Sequence, residues 1–188
     1  MNVFDFDNTI YDGESVIDFF LYYCRKDKSL IKYIPDVFKA LLKYKKGKIS
    51  IKDALSQYGP LVTDYLKKNG DISQEMKIFW DSNMHKIKPF YKEIRSEDDL
   101  IISCSPEFSL DIICNRLGIK RYIGSLIDLE SGEIKRLCFR ENKVKVFLEK
   151  FPNTEIENFY TDSLNDQALI DISNNAFLIK GNKITRIK

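Results

Sequence analysis

The pentapeptide Asp5-Phe6-Asp7-Asn8-Thr9 puts two carboxylates two residues apart and a hydroxyl two further on, where a short apolar run gives way to turn formers. An aspartate can attack phosphorus as a nucleophile, forming an aspartyl-phosphate and splitting ester hydrolysis into two easier steps. The departing oxygen then needs a proton, which a second carboxylate can supply before acting as base for water. Ordinary turn chemistry also places acidic residues in such loops, so the pentapeptide takes its meaning from what accompanies it.

Three further groups do so. Ile101-Ile102-Ser103-Cys104-Ser105-Pro106-Glu107 runs from an apolar segment into hydroxyls and a helix start. Ser105 followed by Pro106 reads as an N-cap with proline at the first helical position. Ser103, at the strand tip, is left with a hydroxyl for a phosphate oxygen, helped by nearby backbone N–H groups. Lys143 stands near the start of the helix Glu141-Asn142-Lys143-Val144-Lys145, where it can reach a carboxylate nucleophile and offset charge on a transferring phosphoryl group. Lys145 reads as solvated. The apolar segment Asn158-Phe159-Tyr160-Thr161 ends in Asp162, with Asp166 four residues on. Magnesium takes hard oxygen ligands and usually keeps several waters, using one or two carboxylates and a substrate phosphate, a pair that Asp5 and Asp162 would provide. The alternative for Asp162 and Asp166 is capping and dipole stabilisation at a helix start.

The elements that must position these residues follow from periodicity. Residues 2 to 6 read as a buried strand, and residues 8 to 13 as the loop behind it. From Ser15 to about Lys88 the spacing is helical, with Ile34, Val37, Phe38 and Leu41 on one face and Leu55, Tyr58, Leu61 and Tyr65 continuing the pattern. Gly47, Gly59-Pro60 and Asn69-Gly70 punctuate it, giving three to five helices with no strand. After Pro89 apolar runs alternate with amphipathic helices, the rhythm of parallel strands joined by crossovers. Strands are predicted at Leu100 to Ser103, Tyr122 to Ile127, Asn158 to Thr161 and Ala176 to Ile179. Helices are predicted at Pro106 to Leu117, Asn142 to Phe151 and Leu164 to Ile172, with a hairpin over Asp128 to Leu137. The fold class is therefore α/β, with residues 1–14 and 89–188 as its core and 15–88 as an all-helical insertion. An insertion at the carboxyl end of a strand lies beside the ligand-binding edge of an open parallel sheet, where it can serve as a lid.

Composition excludes several classes. With 188 residues, 44% hydrophobic and 13% aromatic, the chain can bury a core as one compact domain carrying an insertion. Thirty Lys and Arg against 28 Asp and Glu leave a formal charge of +2, unlike a nucleic-acid binder. Cys24, Cys104, Cys114 and Cys138 form no CxxC pair and His85 is the only histidine, so neither a zinc site nor a disulfide framework is indicated. Reduced thiols in a cytoplasm are the expectation, as is the lack of a secretory signal at the N-terminus. The longest apolar run, Phe19 to Cys24, is too short to span a bilayer.

Taken in order, the four groups resemble the haloacid dehalogenase superfamily, whose pattern is DxDx[TV], a hydrophobic run ending in Ser or Thr, a lysine, and an acidic pair after a strand. Asp5, Asp7 and Thr9, then Ser103, Lys143, and Asp162 with Asp166 meet it, over essentially the whole chain. The resemblance implies a Rossmann-like sheet with a helical cap and a Mg2+-dependent phosphomonoester hydrolase. It makes Asp5 the nucleophile and a metal ligand, and Asp7 the general acid and base that also gives Mg2+ its backbone carbonyl. Asp162 becomes a metal ligand, and Asp166 a support for the metal site and Lys143. Superfamily members that work as dehalogenases lack the second aspartate, so Asp7 favours a phosphatase. A helical insertion just after the first motif is similar to the branch containing phosphoserine phosphatases, as is Glu14, where those enzymes keep a substrate-contacting glutamate. Thr9, Cys104 and Ser105 join Glu14 as candidate substrate contacts.

The insertion departs from that branch, which holds the substrate carboxylate with a cap arginine, because no arginine occurs from Lys26 to Ile94. It carries instead nine lysines from Lys26 to Lys52, against Asp27, Asp36 and Asp53. A small phosphorylated metabolite remains the expected substrate. The alternatives are a lipid phosphate, since a basic amphipathic stretch can read as a membrane-surface element, and a non-catalytic relative that only binds phosphorylated ligands. A receiver-type phosphoacceptor module also uses an acidic cluster, a hydroxyl and a lysine. Its accepting aspartate lies mid-chain with no large insertion after the first strand, unlike Asp5.

Overall fold

The computed structural model describes residues 1–45, 72–131 and 133–188. Among these, seven strands form one sheet in the order β4-β3-β2-β1-β5-β6-β7. They are β1 (Asn2–Phe4), β2 (Leu100–Pro106), β3 (Arg121–Ile127), β4 (Ile134–Arg136), β5 (Ile156–Thr161), β6 (Ser173–Lys180) and β7 (Lys183–Arg186). The five inner strands run parallel, while β4 and β7 pair antiparallel at the two edges. The alternation of strands and helices thus gives the expected α/β class.

Strands covered on both faces must be apolar along their whole length, and the side-chain period of two divides them between two cores. Val3, Leu100 and Ile102 enter a cluster with Ile123, Val146, Phe147, Phe159 and Leu169. Phe4 and Ile101, one residue out of step, enter the opposite cluster with Trp80, Tyr91, Leu110, Ile113 and Cys114. The helices follow suit. α6 (Glu141–Lys150) and α7 (Gln167–Ile172) bury their apolar residues in the first cluster, and α5 (Glu107–Leu117) in the second.

Strand β1 is central because it pairs with β2 on one side and β5 on the other, with Val3 opposite both Leu100 and Phe159. At its amino end Asn158 Nδ2 donates to Asn2 Oδ1 at 2.9 Å and Asn2 Nδ2 to Asp99 Oδ1 at 3.3 Å, a polar ladder that fixes the register. Its carboxyl end is the switch point of the sheet, where ligands of open α/β folds bind.

Between β1 and β2 the described residues contain helices and no strand: α1 (Ser15–Lys26), a 3-10 turn (Lys28–Tyr33), α2 (Ile34–Lys45), α3 (Ile72–Asn83), a 3-10 turn (Met84–Lys86) and α4 (Pro89–Ile94). The predicted faces built on Leu55, Tyr58, Leu61 and Tyr65 lie outside the described residues. α3 packs directly on the sheet's helix layer. Met76, Phe79 and Trp80 share the cluster of Phe4 and Phe6, and the Trp80 indole N–H donates to the Ser109 carbonyl at 3.2 Å. Residues before and after residue 88 therefore share one hydrophobic cluster. The two passages of chain into and out of the helices are also joined, since Asp12 N–H donates to Lys86 O at 2.9 Å and Lys88 N–H to Ile10 O at 2.8 Å.

Four sequence readings need correction. β1 stops at Phe4 rather than residue 6, β2 runs on to Pro106, and β7 was not foreseen. The N-cap of α5 is Pro106, with no side-chain capping bond, so Ser105 does not cap that helix.

Candidate active site

Asp5 leaves the end of β1 with its amide still donating to Tyr160 O at 2.9 Å, and its side chain turns into the switch point. Lys143 arrives there from the first turn of α6. Its ammonium, 3% exposed, donates to Asp5 Oδ1 and to Asp166 Oδ2, each at 2.9 Å. Thr161 Oγ1 donates to the same Asp166 oxygen at 3.0 Å. Two buried carboxyl groups thus share one ammonium. Burial pushes Asp5 well above the usual carboxylate range; Lys143 opposes that, and Asp166 and Asp162 reinforce it. Burial alone would favour neutral Lys143, but Asp5 and Asp166 outweigh it and hold the lysine charged. Asp162, at the tip of β5, is raised by burial and by Glu14, with Lys180 opposing.

The loop after Asp5 is tightly made. The amides of Ile10 and Tyr11 both donate to Phe6 O at 2.9 Å, and Asn8 takes a positive φ of 57°. Asn8 Nδ2 donates to Glu14 Oε1 at 2.8 Å. Asp7 accepts from Ser15 N–H at 2.7 Å on Oδ1 and from Ser105 Oγ at 2.6 Å on Oδ2. Burial raises its carboxyl to about 6, against the pull of the Ser105 and Ser15 hydrogen bonds. An acid poised there can give and take a proton near neutral pH.

Of the other candidates, Ser103 and Cys104 lie on β2 and Thr9 on the loop after Asp5. Ser103 is buried, and its Oγ accepts from Ser105 N–H at 3.0 Å. Cys104 is partly exposed, its thiol pushed up to about 12 by burial, and its carbonyl accepts from Ser125 Oγ at 2.6 Å. Thr9 is fully buried and its hydroxyl meets no partner among the described residues, so it faces the interior. Lys145 is exposed, as expected.

Sequence reasoning missed Ser15, Lys88 and Lys180. Lys88, only 4% exposed, donates its ammonium to the carbonyl of Asn8, and Lys180 donates to the carbonyl of Asp162 at 2.6 Å. Each ties down a loop that carries a candidate carboxylate. The one available signal was Lys88 itself, a lysine set among Ile87, Pro89, Phe90 and Tyr91. Nothing local marks Ser15.

Among the described residues no three His, Cys, Asp or Glu side chains converge as a ready-made metal cage. The donor set still fits magnesium, which needs only one or two carboxylates and keeps its waters. Asp5 and Asp162 are oxygen donors held in buried surroundings that raise both carboxyls, and Asp162 adds to the rise at Asp5, a cost to their charged forms that a divalent cation would offset.

A search of curated proteins finds no match. Solved structures share the fold at low identity. A protein of unknown function from Bordetella pertussis Tohama I superposes with a TM-score of 0.74 at 15% identity, covering 94% of this chain and 87% of that one. A phosphoserine phosphohydrolase-like protein from Francisella tularensis subsp. tularensis SCHU S4 gives 0.64 at 18% identity, covering 94% and 86%. A phosphoserine phosphatase from T. onnurineus gives 0.59 at 19% identity, covering 94% and 81%. The family model for haloacid dehalogenase-like hydrolases matches residues 3–171, which include Asp5, Asp7, Ser103, Lys143, Asp162 and Asp166, and the chain belongs to that family.

Proposed function

We propose that the protein hydrolyses phosphomonoesters through an aspartyl-phosphate on Asp5. The observation that carries this reading is the buried Lys143 ammonium 2.9 Å from Asp5, beside a second carboxyl, Asp7, raised to about 6. In the first step an Asp5 carboxylate oxygen bonds to phosphorus while the bond from phosphorus to the ester oxygen breaks. Its electron pair stays on that oxygen, and Asp7 supplies the proton. In the second, water bonds to phosphorus, gives its proton to Asp7, and displaces the Asp5 carboxylate, releasing inorganic phosphate. Lys143 and the Ser103 hydroxyl, with backbone amides of the following turn, oppose the charge on the phosphoryl oxygens.

Asp5, Asp162 and the backbone carbonyl of Asp7 would hold Mg2+, with Asp166 supporting the site through Lys143. Bound there, the ion supplies positive charge for the substrate phosphate and for the crowded carboxylates. The insertion at residues 15–88 acts as the cap, excluding water while the phosphoryl group moves. Glu14, Cys104 and Ser105 belong to the shell around the substrate, whereas Thr9 is fully buried and makes no contact with it. The four free thiols support a cytoplasmic setting. No helix among the described residues is long and apolar enough to cross a membrane.

Similarity to phosphoserine phosphatases supports a small phosphorylated metabolite as substrate. A lipid phosphate is the second reading, favoured by the exposed Lys39 and Lys43, which directly follow the exposed Phe38 and Leu42 in α2. Turnover of p-nitrophenyl phosphate with and without Mg2+ tests the proposal, expecting activity that needs both the metal and Asp5. Binding of phosphate esters without turnover would instead mark a non-catalytic relative.

A further inference from the structure

We propose that Ser105 is a positioning residue for Asp7, its hydroxyl aiming the carboxyl at the oxygen that leaves phosphorus. The inference rests on the phosphatase reading above. It assigns the second serine of Ser103-Cys104-Ser105 to the acid rather than to the helix it precedes.

Asp7 sits in a loop, and a carboxyl there is free to rotate about two side-chain bonds unless something stops it. Two donors do. Ser105 Oγ lies 2.6 Å from Oδ2 and Ser15 N–H donates to Oδ1 at 2.7 Å, so each oxygen is held separately and the plane of the group is fixed. Each carboxylate oxygen retains a second lone pair for the transferred proton. The Ser15 amide lies only 8 residues along the chain from Asp7. Ser105 comes from 98 residues away and so anchors the acid to the sheet.

Ser105 can do this because it is itself immobile. It is 2% exposed, and its amide donates to Ser103 Oγ at 3.0 Å. Its single hydroxyl proton goes to Asp7, so the Ser15 hydroxyl 3.1 Å away donates to it and blocks rotation. On the other side β3 presses against the turn. Ser125 Oγ donates to Cys104 O at 2.6 Å, and a Cβ on Gly124 would stand only 2.6 Å from the Ser105 carbonyl oxygen. Proton transfer depends on hydrogen-bond reach to the departing oxygen, and displacements near one ångström cost orders of magnitude.

The need for an aimed proton depends on the leaving group. When the bond from phosphorus to oxygen breaks, p-nitrophenolate departs stably with its electron pair, whereas an alkoxide must take the Asp7 proton as it leaves. The test compares kcat/KM, which reports the first transfer, for p-nitrophenyl phosphate and propyl phosphate in saturating Mg2+. Two variants are used: Ser105→Ala, which removes the hydroxyl, and Ser105→Cys, which keeps the branching with a slightly larger atom but donates weakly. For propyl phosphate we expect a fall of about 10- to 100-fold, and for the aryl ester less than about threefold, in protein whose melting curve remains cooperative. Should the alanine variant fail to fold, the cysteine variant carries the comparison. Equal losses on the two esters, or an unchanged ratio, would overturn the assignment while leaving the phosphatase reading intact. Wild-type protein inert toward both esters would overturn the phosphatase reading, and this assignment with it.

Discussion

Lys143 meets Asp5 at 2.9 Å across 138 residues of chain, and neither side chain is more than 12% exposed. The same ammonium serves Asp166, so its removal leaves two carboxylates facing each other without a cation. Breaking a buried ion pair by deleting one partner costs about 3–5 kcal/mol.

Lys143→Met, which keeps the length but not the charge, should therefore lower the melting temperature of metal-free protein by about 10 °C at pH 8. The deficit should shrink toward pH 5. Asp5 is already raised, and without Lys143 it rises further, so it takes up a proton in the folded variant and its uncompensated charge disappears. Thermal melts at the two pH values check this, and a deficit that grows on acidification would contradict it. Turnover should fall by at least about 100-fold.

Asp5→Asn should abolish turnover at any Mg2+ concentration, because an amide neither attacks phosphorus nor brings charge to the metal. Asp162→Ala should retain the chemistry but raise the Mg2+ concentration needed for half-maximal rate. Chelation should stop wild-type turnover and Mg2+ should restore it. Undiminished activity in excess EDTA would refute the metal site, while residual wild-type rate in Asp5→Asn would refute the nucleophile.

Asp7→Asn should separate stability from activity. A carboxyl raised from 3.8 to about 6 favours the fold below its unfolded value and loses that contribution as pH climbs through about 6, roughly 2–3 kcal/mol in all. The amide has no charge to bury, so metal-free Asp7→Asn should melt several degrees above wild type at pH 8, and level with it near pH 4. Its turnover should fall by about 10²–10⁴-fold. Equal melting at pH 8 would show that Asp7 carries no burial cost.

What the sequence revealed, and what it hid, divides by range. The apolar runs of β2, β3, β5 and β6 announce themselves because both faces of a parallel strand are covered, and Asp5 and Asp162 could be placed at the tips of β1 and β5. β7 gives no such signal: all four of its residues are exposed, and it pairs with β6 only because Gly181 turns the chain at a φ of 59°. Ser105 looked like a cap because Ser-Pro before an acidic residue is a local pattern. Its actual partner, Asp7, is 98 residues away and left no mark in that pattern. Lys88 and Lys180 escaped for the same reason, since both act on backbone carbonyls, which no residue type identifies.

The helices between β1 and β2 bear on substrate choice. A bidentate arginine clamp for a carboxylate is missing from Lys26 to Ile94, and lysines act as point charges that attract polyanions but orient them weakly. Among the described lysines, Lys26 is paired with Glu75 and Lys32 lies over the Tyr33 ring, while Lys28, Lys39 and Lys43 are exposed. Exposed charges of this kind act over roughly 10 Å at 0.1 M salt and are screened beyond it. Phosphoserine should therefore be hydrolysed no better than anionic sugar phosphates at low ionic strength. The advantage of polyanionic esters, read as the ratio of kcat/KM values, should fall as salt rises from about 0.02 to 0.5 M. Co-sedimentation with anionic liposomes over the same salt range decides between the two substrate classes. Salt-sensitive binding, with turnover of phosphatidyl phosphates, would favour the lipid substrate. A strong preference for phosphoserine that ignores salt would mean that a carboxylate is held by a directed contact, and that the lysines are only a solvated surface.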